Sequence, residues 1–195
     1  MQYRKVISSI FLFLWLVSCL IDAGQNLRSP SVTVDTGPII GVIKGKSVMF
    51  LGIPYASPPV GDLRWRSPQI MPSWKEPLDA TQPGAHCPQT RHQDASNEDC
   101  LTINVYTPSL KSEEPLPVLF WIHGGGYRTG TGAYYSSRNI NNPAELVDPK
   151  LWNRQGVILV TLNYRLGALG FLAHDALDGS QGVNYGLLDI VAGLK

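Results

Sequence analysis

The sequence predicts an α/β architecture in which a small antiparallel sheet precedes the first strands of a large, mostly parallel one. Three observations carry that expectation. Val118–Ile122 and residues 157–162 are nearly continuous apolar runs without polar alternation, the pattern of strands covered on both faces of a parallel sheet. Between Ser31 and Leu51, short β-prone segments are punctuated by Gly37-Pro38 and Gly45, as in an antiparallel sheet. From Asn184 onward, Leu187, Leu188, Val191 and Leu194 recur at helical spacing.

The remaining elements follow in chain order. Ser31–Val34 and residues 39–44 and 47–51 read as the strands of the small sheet. Residues 52–59 hold three prolines, too many for a strand or helix, and read as extended coil. Trp65 and Trp74 are expected to pin that coil by burial. Residues 102–106 alternate in the β manner, and residues 111–114 form a charged loop tip before the strand at 117–122. A short helix is expected around residues 144–147, and coil through residues 179–182. The closing helix carries no stop signal before Lys195 and reads as cut in mid-element.

Composition narrows the function classes. Of 195 residues, 44% are hydrophobic and 16% charged, with a formal net charge of +1, which is globular and offers no basic cluster for nucleic acid. Arg4-Lys5 followed by a mostly apolar stretch to Leu20 reads as a secretory signal over residues 1–23, cleaved after Ala23, because a stable membrane span needs about 20 apolar residues. Leu16-Val17-Ser18-Cys19 also fits a bacterial lipobox, with lipid on Cys19 as the lesser alternative. Removing the signal takes away Arg4, Lys5 and Asp22 and leaves 14 residues of each charge. It also removes Cys19 and leaves Cys87 and Cys100 as a pair in an oxidising compartment, with two free thiols as the alternative.

The chemistry concentrates where Val118–Ile122 ends at His123-Gly124-Gly125-Gly126. Three consecutive glycines allow backbone conformations that a Cβ forbids and bare their amide N–H groups. Fixed backbone donors at the end of a buried strand are what an oxyanion hole requires, and an HGGG-type stretch forms part of that hole in lipases and esterases. A glycine-rich turn without chemistry is the alternative. A phosphate loop is disfavoured, since no Gly-Lys-Ser/Thr follows. His86, His92 and His174 have no companions at ligand spacing, so neither a metal nor another cofactor is expected.

From about Ser31 to Lys195 the chain resembles the N-terminal part of a type-B carboxylesterase, the cholinesterase-like branch of the α/β-hydrolases. The most specific stretch is Glu98-Asp99-Cys100-Leu101-Thr102-Ile103-Asn104-Val105-Tyr106-Thr107-Pro108. Phe50-Leu51-Gly52-Ile53-Pro54-Tyr55-Ala56, Leu63-Arg64-Trp65, the glycine loop, Asn163-Tyr164-Arg165-Leu166-Gly167 and Asn184-Tyr185-Gly186-Leu187-Leu188-Asp189 come in the family's order. The resemblance implies that Gly125 and Gly126 donate to the oxyanion while Gly124 shapes the turn, and that Cys87 and Cys100 are bonded. It also implies ion pairs Arg64–Glu98 and Arg165–Asp189, with four solvated charges as the lesser alternative on sequence alone. His123 precedes all three members of a triad ordered serine, acid, histidine, so it reads as a packing or hydrogen-bonding residue.

Two departures shape the functional expectation. The stretch between the cysteines, residues 88–99, holds no aromatic residue, so it lacks the cation–π platform that favours choline esters. No Gly-x-Ser-x-Gly occurs in the 195 residues, so nucleophile, acid and base are all missing. The expectation is therefore that residues 24–195 are the N-terminal part of a secreted serine esterase acting on small-molecule esters, inactive alone. The alternatives are a cholinesterase-like adhesion protein with a protein partner, and an inactive truncated product.

Overall fold

The computed structural model describes residues 29–90, 95–133, 148–175, 177 and 184–195. The expected signal at residues 1–23, the short helix at 144–147, the coil at 179–182 and His92 lie outside these.

Two mixed sheets organise the described residues. Strands β1 (Ser31–Val34) and β2 (Gly37–Ile40) pair antiparallel, and β5 (Leu78–Asp79) adds to β2 in parallel. The larger sheet runs β3 (Val42–Lys44), β4 (Ser47–Pro54), β6 (Thr102–Thr107), β8 (Ile158–Leu162) and β7 (Val118–Ile122) in that spatial order. Its first three pairings are antiparallel, and β7 with β8 is parallel, Phe120 lying opposite Val160.

Three expectations need correction here. Residues 39–44 are not one strand of the small sheet: Gly41 divides them, and β3 and β4 belong to the large sheet. A Cβ on Gly41 would collide with the Met49 carbonyl, so the chain changes sheets where backbone meets backbone. Residues 52–54 are strand rather than coil, since β4 continues to Pro54 through a register shift between Phe50 and Ile53. Gly52, at φ +67°, occupies that bulge and donates its N–H to Asn104 Oδ1 at 2.9 Å. Finally, β7 is the sheet's outermost strand among the described residues, with Val118 and Ile122 exposed, whereas its apolar run predicted cover on both faces.

Among the described residues three α-helices complete the framework: α1 (Pro149–Arg154), α2 (Gly167–Phe171) and α3 (Tyr185–Gly193). The Asp148 side chain caps α1 by accepting from Lys150 N at 2.8 Å, with Pro149 at the first helical position. In α3 the buried residues are Tyr185, Gly186, Asp189 and Ile190, while Leu187, Val191 and Leu194 are exposed, the reverse of the face that apolar spacing alone selects. Main-core packing joins Ala56, Leu101, Leu162, Tyr164, Leu166 and Ile190 around the two cysteines. The coil tryptophans are half-buried and held by their indole N–H groups, Trp65 to the Ala168 carbonyl at 3.0 Å and Trp74 to that of Pro38 at 2.8 Å.

Candidate active site

Strand β7 delivers the chain to a loop whose backbone is set by two carbonyls. Gly125 and Gly126 have φ of +123° and +61°, and Tyr127 follows at +58°. The Gly125 carbonyl accepts from the N–H groups of Arg128 at 3.1 Å and Thr129 at 3.2 Å. The Gly124 carbonyl lies 2.9 Å from His123 Nδ1. A carbonyl only accepts, so Nδ1 carries the proton. In a trans peptide the C=O and the next residue's N–H point in opposite directions. Turning the Gly124 and Gly125 carbonyls toward these donors therefore aims the N–H groups of Gly125 and Gly126 away from them. Among the described residues nothing accepts from those two N–H groups. Gly125 admits no side chain, because a Cβ would strike the Thr129 carbonyl; at Gly126 the space is open and only the positive φ selects glycine.

The loop is fastened at its root and at its far end. At the root, the buried His123 ring stacks on Tyr164 at 4.4 Å between centroids, and the Tyr164 hydroxyl donates to the His123 carbonyl at 2.9 Å. Burial pushes the His123 imidazole below its ordinary pKa, against the opposing pull of the Gly124 carbonyl, and its Nε2 has no hydrogen-bond partner among the described residues. At the far end, Gln89 grips Gly130 in both directions: Nε2 donates to its carbonyl at 2.8 Å and Oε1 accepts from its N–H at 3.0 Å. Gly132 N donates to Asn163 Oδ1 at 2.7 Å. The Gly132 carbonyl accepts from Asn104 Nδ2 at 3.1 Å and Thr161 Oγ1 at 2.5 Å. Asn104 and Thr161 lie opposite each other on β6 and β8, so the sheet interior holds the loop directly.

The Gln89 grip is rooted in the disulfide. Cys87 and Cys100 are bonded and fully buried, and Gln89 follows two residues after Cys87, within 3.2 Å of its carbonyl. A cavity of about 720 Å³ opens here, lined by Pro88, Gln89, Gly125, Arg128, Thr129 and Gly167. A larger, apolar cavity of about 920 Å³ lies elsewhere, against Ile53, Ile103, Val105, Leu188 and Val191, and no glycine-loop residue lines it. Of the two loop glycines with free N–H groups, Gly125 lines the smaller cavity.

Both expected pairs of charges meet. Arg64 donates to Glu98 through two nitrogens, each at 2.6 Å, at a partly exposed position, and the hydrogen bond and charge of Glu98 raise the guanidinium pKa. Arg165 donates to Asp189 from Nε at 2.8 Å, from Nη2 at 2.7 Å and from its backbone N–H at 3.1 Å. Burial pushes the Asp189 carboxyl up, and the hydrogen bonds and charge of Arg165 oppose that push without cancelling it. The pair ties α3 to the start of α2, whose Gly167 N–H reaches back to the Tyr127 carbonyl at 2.7 Å. Among the described residues no three His, Cys, Asp or Glu side chains gather as a metal site, and no helix is long and apolar enough to cross a membrane.

Sequence reasoning missed Gln89, Asn104, Thr161, Asn163 and Tyr164 as holders of the loop. Asn104 and Asn163 stood inside recognisable stretches, where a polar residue beside a buried strand is a signal. Gln89 carried none.

Known proteins match this arrangement. The family model described as "Carboxylesterase family" covers residues 28–195. The chain is 41% identical over 172 residues to a fumonisin B1 esterase of Sphingopyxis macrogoltabida, covering 82% of this chain and 29% of that protein. To the para-nitrobenzyl esterase of Bacillus subtilis it is 39% identical over 173 residues, with 84% and 33% covered. Among solved structures, juvenile hormone esterase from Manduca sexta, crystallised with OTFP covalently attached, superposes with a TM-score of 0.69 at 32% identity, with 86% of this chain and 32% of that one covered. The chain thus spans about a third of the length of the relatives it matches, and its sheets are the N-terminal portion of an α/β-hydrolase fold. On this evidence the chain belongs to the carboxylesterase family.

Proposed function

We propose that residues 24–195 form the N-terminal segment of a secreted serine carboxylic-ester hydrolase, following a signal peptide over residues 1–23, and that Gly125 and Gly126 supply two donors to its oxyanion. The single observation that carries this reading is the turn of the Gly124 and Gly125 carbonyls toward donors of the loop itself, which leaves the following two N–H groups free, with Gly125 lining a cavity. An ester carbonyl seated there would develop negative charge on its oxygen as a serine attacked it. Donors already fixed in place stabilise that charge without reorganising. The serine, the histidine that takes its proton, the carboxylate that orients the histidine and the third oxyanion donor lie outside these 195 residues, which contain no Gly-x-Ser-x-Gly. The mechanism calls on no metal or organic cofactor. The covalent OTFP adduct of the Manduca sexta relative supports a reaction through an enzyme-bound intermediate. The buried disulfide supports an extracellular location. The free donors also favour the enzyme over an adhesion protein, which has no use for them.

Two substitutions at one position test the reading in the full-length protein. Gly126→Ala keeps the N–H and meets no neighbour, at a left-handed strain of about 1–2 kcal/mol. Gly126→Pro removes the N–H and also forces φ from +61° toward about −65°, so it reports the donor and the turn that aims it together. Loss of one oxyanion donor costs ~10²–10³ in turnover, about 3–4 kcal/mol, so the proline variant should fall well below the alanine variant while both melt as folded proteins. Equal turnover in the two would remove Gly126 from the chemistry. The 195 residues alone should not hydrolyse an activated ester above background.

A further inference from the structure

The geometry points to Arg128 as the specificity-determining residue of this site, selecting esters that carry a carboxylate. This rests on the esterase reading above and names the substrate class for it. Arg128 stands two residues beyond Gly126, and its backbone N–H is bonded to the Gly125 carbonyl at 3.1 Å. The turn that sets the oxyanion donors therefore also sets where this side chain begins. Arg128 lines the same cavity of about 720 Å³ as Gly125, and it is the one charged residue among those described that do so. The other lining residues, Pro88, Gln89, Thr90, Thr129 and Gly167, bring no carboxylate to neutralise it.

Its guanidinium is also unclaimed. Arg64 and Arg165 are each held by two prongs of a carboxylate. Among the described residues the Arg128 side chain makes no hydrogen bond and no ion pair. The chain as a whole is close to neutral, so this is a local feature and not part of a broad positive field. A planar guanidinium presents paired N–H donors that match the two oxygens of a carboxylate. Placed beside donors for an ester oxygen, it would hold a second, anionic group of the same substrate. A substrate carrying its carboxylate on the acyl side or on the alcohol side offers the same recognition chemistry.

The test uses the full-length protein and matched pairs of esters. On the acyl side, the mono-4-nitrophenyl ester of glutaric acid is compared with the same compound methylated at its free acid. On the alcohol side, 4-acetoxybenzoate is compared with its methyl ester. The wild type should favour the anionic member of at least one pair in kcat/KM by about tenfold or more, the scale of a charged hydrogen bond. Arg128→Gln should erase that ratio and Arg128→Lys keep part of it. Added salt should raise KM for the favoured anionic ester more than for its neutral partner. Ratios near one in both pairs, or a ratio unchanged by Arg128→Gln while neutral esters are hydrolysed, would overturn the assignment alone. Hydrolysis of none of the four esters by the folded wild type would overturn the esterase reading and this assignment with it.

Discussion

The two ion pairs form a matched experiment, because they share geometry and differ in burial. Each joins an arginine to a carboxylate through two nitrogens, at 2.6 and 2.6 Å for Arg64–Glu98 and at 2.8 and 2.7 Å for Arg165–Asp189. The side chains of the first pair are 40% and 25% exposed, and those of the second 3% and 0%. The perturbation is to neutralise one acid at a time, Glu98→Gln and Asp189→Asn. In the first variant, water takes up the charge that Arg64 keeps, and little stability is lost. In the second, Arg165 is left charged, buried and without its counter-ion, while its Nη1 already lacks a partner among the described residues. Breaking a buried pair from one side costs about 3–5 kcal/mol, set against about 5–15 kcal/mol for a whole domain. At about 2–4 °C per kcal/mol for a large domain, Asp189→Asn should lower the melting midpoint on the order of 10 °C. Replacing both members by apolar residues, Arg165→Met with Asp189→Leu, should cost less than Asp189→Asn alone, since no charge is then stranded. Calorimetry or urea unfolding of the full-length protein measures all three. Equal losses from Glu98→Gln and Asp189→Asn would refute the argument from burial.

Two further outcomes follow from the disulfide and from His123. Peptide mapping of the full-length protein without reductant should give one cross-linked peptide joining Cys87 to Cys100 and, for the proposed signal, an N-terminus at Gly24; two separately alkylated cysteines would contradict the bond. Cys100→Ser should cost on the order of 3 kcal/mol for a loop of this length, and it should loosen the Gln89 grip on Gly130. His123 titrates below its ordinary value in the fold because burial penalises the imidazolium. The unfolded histidine, at about 6.5, binds protons more readily there, so its contribution to stability is present above that value. The contribution is lost as pH falls from about 6.5 through the folded pKa. Denaturation midpoints between neutral and mildly acidic pH should show this slope, and His123→Gln should flatten it.

Much of the fold was legible locally. Residues 157–162 read as an interior strand because six apolar or β-branched side chains in a row leave no polar face for water, and the strand is observed over Ile158–Leu162. The glycine loop was legible because three adjacent residues without Cβ have few structural uses at the end of a strand. Its positive φ values at Gly125 and Gly126 are the freedom that composition implied. Other features escaped for nonlocal reasons. The run at Val118–Ile122 looks like that at residues 157–162, yet among the described residues only the second has a strand on each side. Apolar content records tolerance for burial, and neighbours decide whether burial occurs.

Helix α3 marks the boundary between the two kinds of information. By itself the sequence determined that a helix begins beside Asn184, from the spacing of its apolar residues. Which face turns inward was decided by contacts from far along the chain. Asp189 must face Arg165 to satisfy its charge, and Gly186 packs so closely that a Cβ would lie 2.5 Å from the Phe171 ring and 2.6 Å from the Arg165 carbonyl. Those two demands rotate Leu187, Val191 and Leu194 outward against the hydrophobic pattern. The glycine loop divides in the same way. The sequence determined that its backbone could turn there, because glycine removes the steric bar to positive φ. Only the tertiary structure decided where the N–H groups point, because His123, Gln89, Asn104, Thr161 and Asn163 must converge from separate segments to hold the loop's backbone groups in place.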